Sequence, residues 1–355
     1  MTNQTAYQGE AASTKQLFLE PSVLTILASY RCTAECEHCC FDSNPRVTER
    51  ITLQDIVGFI ERASQLGSTK LVVFSGGECF LLGTDLTKAI ARCTSLGLRS
   101  RCVTNGYWAK SVSEGRRRLL ELKAAGLNEL NISTGDFHQE FVSEQAVVNA
   151  ACLGVELGFD QTLVVVEVQK KRRVTRATLA AQRQIQGLLS LDEARFKIIE
   201  SPWMPMSLDE VVPQTSDYLL NSSNVHLRNG CASIFSTIVL TPSRKVGFCC
   251  GLTRERIPEL NAVLNNDPLE DILKEGGREF MKVWLAVEGP ERILAWAAGK
   301  DPKIEWENRY AHHCHACLAL FADERVRNTI RTHYRERIDD VLMRYCMLLR
   351  AQHAN

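Results

Sequence analysis

Between residues 23 and 199, short apolar runs rich in β-branched residues alternate with amphipathic stretches, and this alternation constrains the fold more than any other feature. Val23–Ala28, Leu71–Phe74, Arg99–Thr104, Glu129–Ser133, Thr162–Val168 and Phe196–Ile199 read as strands. Ile51–Leu66, Thr84–Leu96, Ser111–Ala125, Glu144–Leu157 and Thr175–Leu189 read as helices. In the first of these, Leu53, Ile56, Val57, Ile60 and Ala63 recur at helical spacing, with Thr52 as N-cap and Asp55 three residues on. From Leu71 onward successive strands begin roughly 30 residues apart, the length of one strand–helix unit. Such a chain builds a parallel sheet with helices outside it. Whether that sheet closes as a barrel or stays open, function belongs at the carboxyl ends of the strands.

At 355 residues and 45% hydrophobic content the chain can bury a large core. Its 42 lysines and arginines balance 42 aspartates and glutamates, so no global field argues for nucleic acid or a membrane surface as partner. Neither a signal-like segment nor an apolar run of the roughly 18 residues needed to span a bilayer is visible, and a cytoplasmic location is expected. In a reducing compartment the 14 cysteines are unlikely disulfide partners, and their clustering favours metal binding.

The first cluster follows the first strand directly. Cys32, Cys36 and Cys39 form C-x3-C-x2-C, which lets three thiolates hold three corners of a compact site and leaves a fourth corner open. Soft thiolates suit zinc or iron and sulfide, and spacing alone leaves both open. Its place at a strand's carboxyl end points to chemistry rather than to a structural knuckle. Ser75-Gly76-Gly77-Glu78 ends the second strand, where two glycines permit close backbone approach to a ligand and a carboxylate could take an ammonium group.

Taken together, these strings resemble the radical S-adenosylmethionine (SAM) superfamily over residues about 23 to 200. The resemblance implies a partial (β/α)6 TIM-like barrel of the α/β class. It also implies that Cys32, Cys36 and Cys39 hold a [4Fe–4S] cluster whose fourth iron binds the methionine end of SAM. His38 stands where that family usually has an aromatic residue, and Cys40 is surplus. Gly76, Gly77 and Glu78 match the motif that holds the methionine amino group. Val103-Thr104-Asn105-Gly106 and Asn131 to His138 end the next two strands in the family's manner, making Asn105, Ser133 and Asp136 candidates for cosubstrate contacts, although Asp136 could equally cap a turn. In that family a reduced cluster donates one electron to the sulfonium, and the resulting 5′-deoxyadenosyl radical takes a hydrogen atom from substrate inside an enclosed cavity.

Later cysteines resemble the auxiliary modules called SPASM or twitch domains: Cys231 before a hairpin, Cys249 and Cys250 after it, and Cys314 and Cys317 as C-x2-C. The count implies one auxiliary [4Fe–4S] cluster, with Cys249 or Cys250 as one ligand; structural zinc is the alternative. His312, His313 and His315 flank the last pair and are expected to face solvent. Cys79 could face the cavity as a hydrogen-atom donor. Cys93 and Cys152 fall in helices and read as packing. Tyr107 and Trp108 either line the cavity or pack under a helix, and the basic run Lys170 to Arg173 with Arg176 is a solvated loop or a contact for an acidic leader.

The expected organisation is a flexible lead-in (1–20), a radical SAM partial barrel (21–205), a C-terminal auxiliary-cluster domain (206–322) and a C-terminal helix (323–355). The resemblance implies a peptide maturase that makes a crosslink or oxidises a side chain, supplied by an external one-electron donor. The alternative is a dehydrogenase acting on a small molecule such as a sugar or nucleotide. The short stretch before Cys32 leaves no room for a separate leader-binding domain, and the ending Gln352-His353-Ala354-Asn355 differs from that of molybdenum-cofactor cyclases.

Overall fold

The computed structural model describes residues 20–170, 172–204, 207–208, 218–250, 256–264 and 267–353. The expected lead-in therefore lies outside the described residues except for Glu20, as do Lys171 of the basic run and residues 205–206 and 209–217 around the expected start of the auxiliary-cluster domain. Six strands follow the predicted order: β1 (Val23–Leu27), β2 (Leu71–Ser75), β3 (Arg99–Thr104), β4 (Glu129–Gly135), β5 (Gln161–Val168) and β6 (Phe196–Pro202). They pair in parallel, each with its sequence neighbour. β1 buries Leu24, Ile26 and Leu27 around Thr25, β2 buries Val72, Val73 and Phe74, and β5 buries Leu163, Val164 and Val166, as a sheet covered on both faces requires.

The helices between them are α1 (Leu53–Gln65), α2 (Thr84–Ser95), α3 (Val112–Ala125), the short α4 (Asp136–Gln139), α5 (Glu144–Glu156), α6 (Arg176–Ala180) and α7 (Arg183–Leu189). Thr52 and Asp55 form the expected capping box at the start of α1. The single helix expected over 175–189 is two: Gln182 is extended between them (φ −64°, ψ 125°), and its side-chain amide bonds Glu144 on α5.

The sheet does not close. Its order is β6-β5-β4-β3-β2-β1-β7-β8-β9, so β7 (Thr237–Leu240) adds in parallel to β1, and β8 (Lys245–Gly247) and β9 (Asn261–Val263) continue antiparallel. The result is an open, partial barrel of the α/β class. After β9 come α8 (Leu269–Gly277), α9 (Phe280–Lys300), α10 (His313–Ala322), α11 (Glu324–His333) and α12 (Ile338–His353). The helix expected over 323–350 is broken by a 3-10 turn at Tyr334–Arg337, where Arg337 turns inward with Arg344 onto the buried Glu288 of α9. Among the described residues no helix is long and apolar enough to cross a membrane.

α9 is interrupted at Gly289 (φ +78°), ahead of Pro290, which lacks the N–H a continuous helix needs. The interruption lets another segment cross closely: a Cβ on Gly289 would lie 2.2 Å from Asn229 O, and one on Gly230 would lie 2.0 Å from Ala286 O. Beside this crossing Cys231 N–H donates to Leu285 O at 2.8 Å, which fixes the first of the late cysteines.

Candidate metal centres at the carboxyl rim

The chain leaves β1 at the carboxyl rim and runs into the cysteine loop. The loop is held by backbone bonds from Cys32 N–H to Asn44 O (3.1 Å), Cys39 N–H to Cys36 O (3.0 Å) and Asp42 N–H to Cys39 O (3.0 Å). Cys32, Cys36 and Cys39 line one cavity together with Gly76, Gly77, Asn105 and Ser133. Burial pushes the Cys32 thiol up to about 11 and the Cys36 thiol up to about 12, and the nearby Cys39 adds to both. Two neighbouring thiols held above their ordinary range, with a third beside them, favour a cation that can take them as thiolates. Two hydrogen bonds already aim at the sulfurs: Ser43 N–H to Cys39 Sγ (3.4 Å) and Asn105 Nδ2 to Cys32 Sγ (3.6 Å).

The Gly-Gly turn, which lines the cavity, also meets the backbone of the cysteine loop. Gly77 N–H donates to Ser29 O and Glu78 N–H to Arg31 O, each at 2.9 Å, so β2 ends zipped to the strand-to-loop passage. A Cβ would lie 2.4 Å from Ser29 O at Gly76 (φ +118°) and 2.1 Å from Arg31 O at Gly77, which only glycine avoids.

The Glu78 carboxylate is not among the groups that line this cavity and is buried among donors from its wall. It is 3% exposed and accepts from Phe80 N–H (3.0 Å), Asn105 N–H (2.8 Å) and the Thr104 hydroxyl (2.9 and 3.0 Å). Burial raises its pKa to about 7, against the hydrogen bonds that lower it. Glu78 thus ties the end of β2 to the end of β3 and sets Asn105 in place. Asn105 in turn donates to Thr33 Oγ1 at 3.1 Å inside the cysteine loop.

Other expected site residues are placed as follows. Ser133 lines the cavity. Asp136 accepts the N–H groups of Arg173 and Val174 at 3.1 Å and so ties the loop after β5 to the end of β4 rather than capping its own following turn. Cys79 is 2% exposed and lies outside the cavity, donating to Val103 O at 3.2 Å, so the cavity-facing orientation expected for it is not found. Trp108 packs flat on Phe80 (4.7 Å) and donates to Thr104. In the basic run, Arg173 faces Asp136 and Arg172 faces Glu200, each at 3.7 Å.

Residues 26–153 match the radical SAM superfamily profile. This stretch is a radical SAM domain. The domain is 26% identical over 119 residues to the "putative peptide biosynthesis protein YydG" of Bacillus subtilis, covering 34% of this chain and 37% of that protein. It is 28% identical over 137 residues to a "probable GTP 3′,8-cyclase" of Methanothermobacter marburgensis, covering 38% of this chain and 42% of the relative. The matches thus span less than half the length of either curated relative. Among solved structures, BtrN bound to AdoMet and 2-DOIA aligns at TM-score 0.44 and 14% identity, over 77% of this chain and 89% of that one. Streptococcus suis SuiB bound to S-adenosylmethionine aligns at TM-score 0.39 and 15% identity, over 65% and 60%. A [4Fe–4S] cluster and SAM accompany a radical SAM domain, and the donor set of the cysteine loop, three soft thiols beside an open cavity, fits such a cluster.

The late cysteines gather in a second cavity, which Cys231, Cys249, Cys250, Cys314 and Cys317 all line. Cys314 and Cys317 stand three residues apart on the first turn of α10, so both point to one side. Burial raises the Cys317 thiol well above its ordinary value, and the next contributors are Cys314, Cys249 and Cys231. Cys314, Cys249 and Cys231 thus all act on Cys317. Cys250 is exposed and hydrogen-bonded to Ser233 Oγ at 3.0 Å. Of the flanking histidines only His313 is exposed; His315 is 2% exposed and packs edge-on to Tyr310.

One group has no signal in the sequence. His38 from the cysteine loop, His138 from α4 and Glu167 from β5 meet at the wall of the first cavity. They come from three separate strand ends, and nothing in their spacing along the chain connects them.

Proposed function

We propose that this protein cleaves SAM reductively and uses the 5′-deoxyadenosyl radical to remove a hydrogen atom from a peptide, maturing it by crosslinking or side-chain oxidation. The observation that carries this is the pairing of the two thiol sets: one three-cysteine loop open to a cavity and a late set, Cys231, Cys249, Cys250, Cys314 and Cys317, that lines a second cavity. In this reading Cys32, Cys36 and Cys39 hold the SAM-binding [4Fe–4S] cluster, and Cys231, Cys249, Cys314 and Cys317 hold an auxiliary [4Fe–4S] cluster. When bound, the two clusters supply and accept single electrons, with an external one-electron donor feeding the first. Residues 21–205 form the catalytic unit, 206–322 the auxiliary unit and 323–355 the closing helical segment.

The chain's own residues do the positioning. Gly76 and Gly77 bring the end of β2 against the cysteine loop, and Glu78, through Thr104 and Asn105, locks β3 to the same loop. The cavity wall is thereby preorganised before any ligand arrives. Gly77, Asn105 and Ser133 face the space where a cosubstrate would lie. The name of the Bacillus subtilis relative, a peptide biosynthesis protein, supports a peptide over a sugar or nucleotide.

Anaerobic reconstitution with iron counting tests the two-cluster reading. About eight irons per chain are expected from two clusters, and about four would remove the auxiliary one. Incubation with SAM and peptides encoded near the gene is then expected to give 5′-deoxyadenosine with a peptide mass change. Turnover of a sugar or nucleotide alone would reverse the substrate assignment.

A further inference from the structure

The wall of the first cavity carries three groups that the proposed function leaves without a role. His38 Nε2 contacts Glu167 Oε2, and His138 Nδ1 lies 3.6 Å from the same oxygen. The donor atoms of the three side chains all lie within 4.8 Å of one another. His38 is 6% exposed, yet all three line the cavity.

Aromatic packing fixes the two rings. His38 stacks on Phe137 at 4.9 Å and meets His138 edge-on at 4.8 Å, and Phe137 leans on Trp203 at 5.1 Å. Gly135 makes room for the carboxylate's strand: a Cβ there would lie 2.8 Å from Glu167 O. Polar capacity remains beyond the His38–Glu167 contact, since His38 Nδ1 and His138 Nδ1 have no hydrogen-bond partner among the described residues.

Electrostatics point the same way. Burial opposes ionisation of Glu167, and the adjacent His38 and His138 outweigh it, so its carboxyl sits below the ordinary range and is charged at neutral pH. Two imidazoles and a carboxylate converging on one wall are donor types that coordinate divalent metal.

We propose that His38, His138 and Glu167 bind one divalent first-row transition-metal ion at the cavity wall, separate from the cysteine sites. Two imidazoles and one carboxylate on one side, with a cavity on the other, make a three-ligand site with open positions for an exogenous group. The ligands come from the cysteine loop, α4 and β5, so the ion also braces three strand ends around the cavity. Nothing in the site depends on which substrate the protein modifies.

Cobalt titration of the anaerobically reconstituted protein, with its iron clusters oxidised, tests this. The expected result is one Co2+ per chain beyond the iron, with a high-spin signal in electron paramagnetic resonance that carries couplings from two imidazole nitrogens. Glu167→Gln and His138→Asn are each expected to weaken cobalt binding by on the order of tenfold or more at unchanged iron content. Absence of the extra equivalent, or a cobalt spectrum with thiolate and no imidazole coupling, overturns the proposal. So does cobalt binding by both variants as tight as by the parent. The spectrum is read on the unaltered protein, so a variant that folds poorly does not blur the outcome.

Discussion

Glu78→Gln separates a structural carboxylate from a ligand-binding one. Every neighbour of this carboxylate donates: Phe80 N–H at 3.0 Å, Asn105 N–H at 2.8 Å and the Thr104 hydroxyl at 2.9 Å. Thr104 Oγ1 itself accepts from Gly106 N–H and Trp108 Nε1, so its one proton is committed to Glu78. In either amide orientation the glutamine NH2 group faces a backbone N–H, and one buried donor loses its acceptor. Leaving a buried donor unsatisfied costs about 1–3 kcal/mol, and loss of a bond to a charged group about 1.5–3 kcal/mol. A destabilisation of about 2–3 kcal/mol is therefore expected, a large part of a typical domain's stability. Urea unfolding of the cofactor-free protein measures it as a lower midpoint. Unchanged stability together with a tenfold loss of SAM affinity would refute the reasoning and return the carboxylate to the ligand.

Further outcomes follow from the same geometry. The Glu78 carboxyl is raised from 4.5 to about 7 in the folded protein, so the native state binds the extra proton between these values and stability falls as pH rises through them. At about 1.4 kcal/mol per unit this amounts to roughly 3 kcal/mol, visible as a falling urea midpoint from pH 4.5 to 7 that is lost in Glu78→Gln. Cys249→Ser is expected to lose about half of the reconstituted iron and Cys250→Ser none, read by iron analysis; the opposite pattern would exchange the two ligands. Gly77→Ala puts a methyl 2.1 Å from Arg31 O; overpacking of about 1–3 kcal/mol should appear as a lower melting temperature and weaker iron retention. Cys79→Ala should leave 5′-deoxyadenosine and product yields unchanged, and a selective loss of product would restore the hydrogen-donor role.

What could be read from the chain was what is periodic or contiguous. The six parallel strands follow from buried apolar runs separated by amphipathic stretches, and the α1 cap from Thr52 and Asp55. The cysteine loop and the Gly-Gly-Glu turn were visible because each is local. Direction was harder to read: Glu78 and Cys79 sit beside the cavity in sequence, but the short turn after Gly77 carries both side chains into the fold. The partial barrel was expected, but the addition of β7 to β1 was hidden, since the two strands lie more than 200 residues apart in the chain. The choice between adjacent Cys249 and Cys250 depends on which faces Cys317, a property of the hairpin. His38, His138 and Glu167 meet only because three strands end at one rim, and no local pattern announces a convergence of that kind.

The central claim is that the three-cysteine loop holds the cluster that cleaves SAM. It is tested most directly by measuring 5′-deoxyadenosine in anaerobically reconstituted, chemically reduced protein beside a Cys32→Ala, Cys36→Ala, Cys39→Ala variant. The account predicts 5′-deoxyadenosine from the first and none from the second, with the variant keeping about four irons at its auxiliary cysteines. Undiminished cleavage by the triple variant would contradict it.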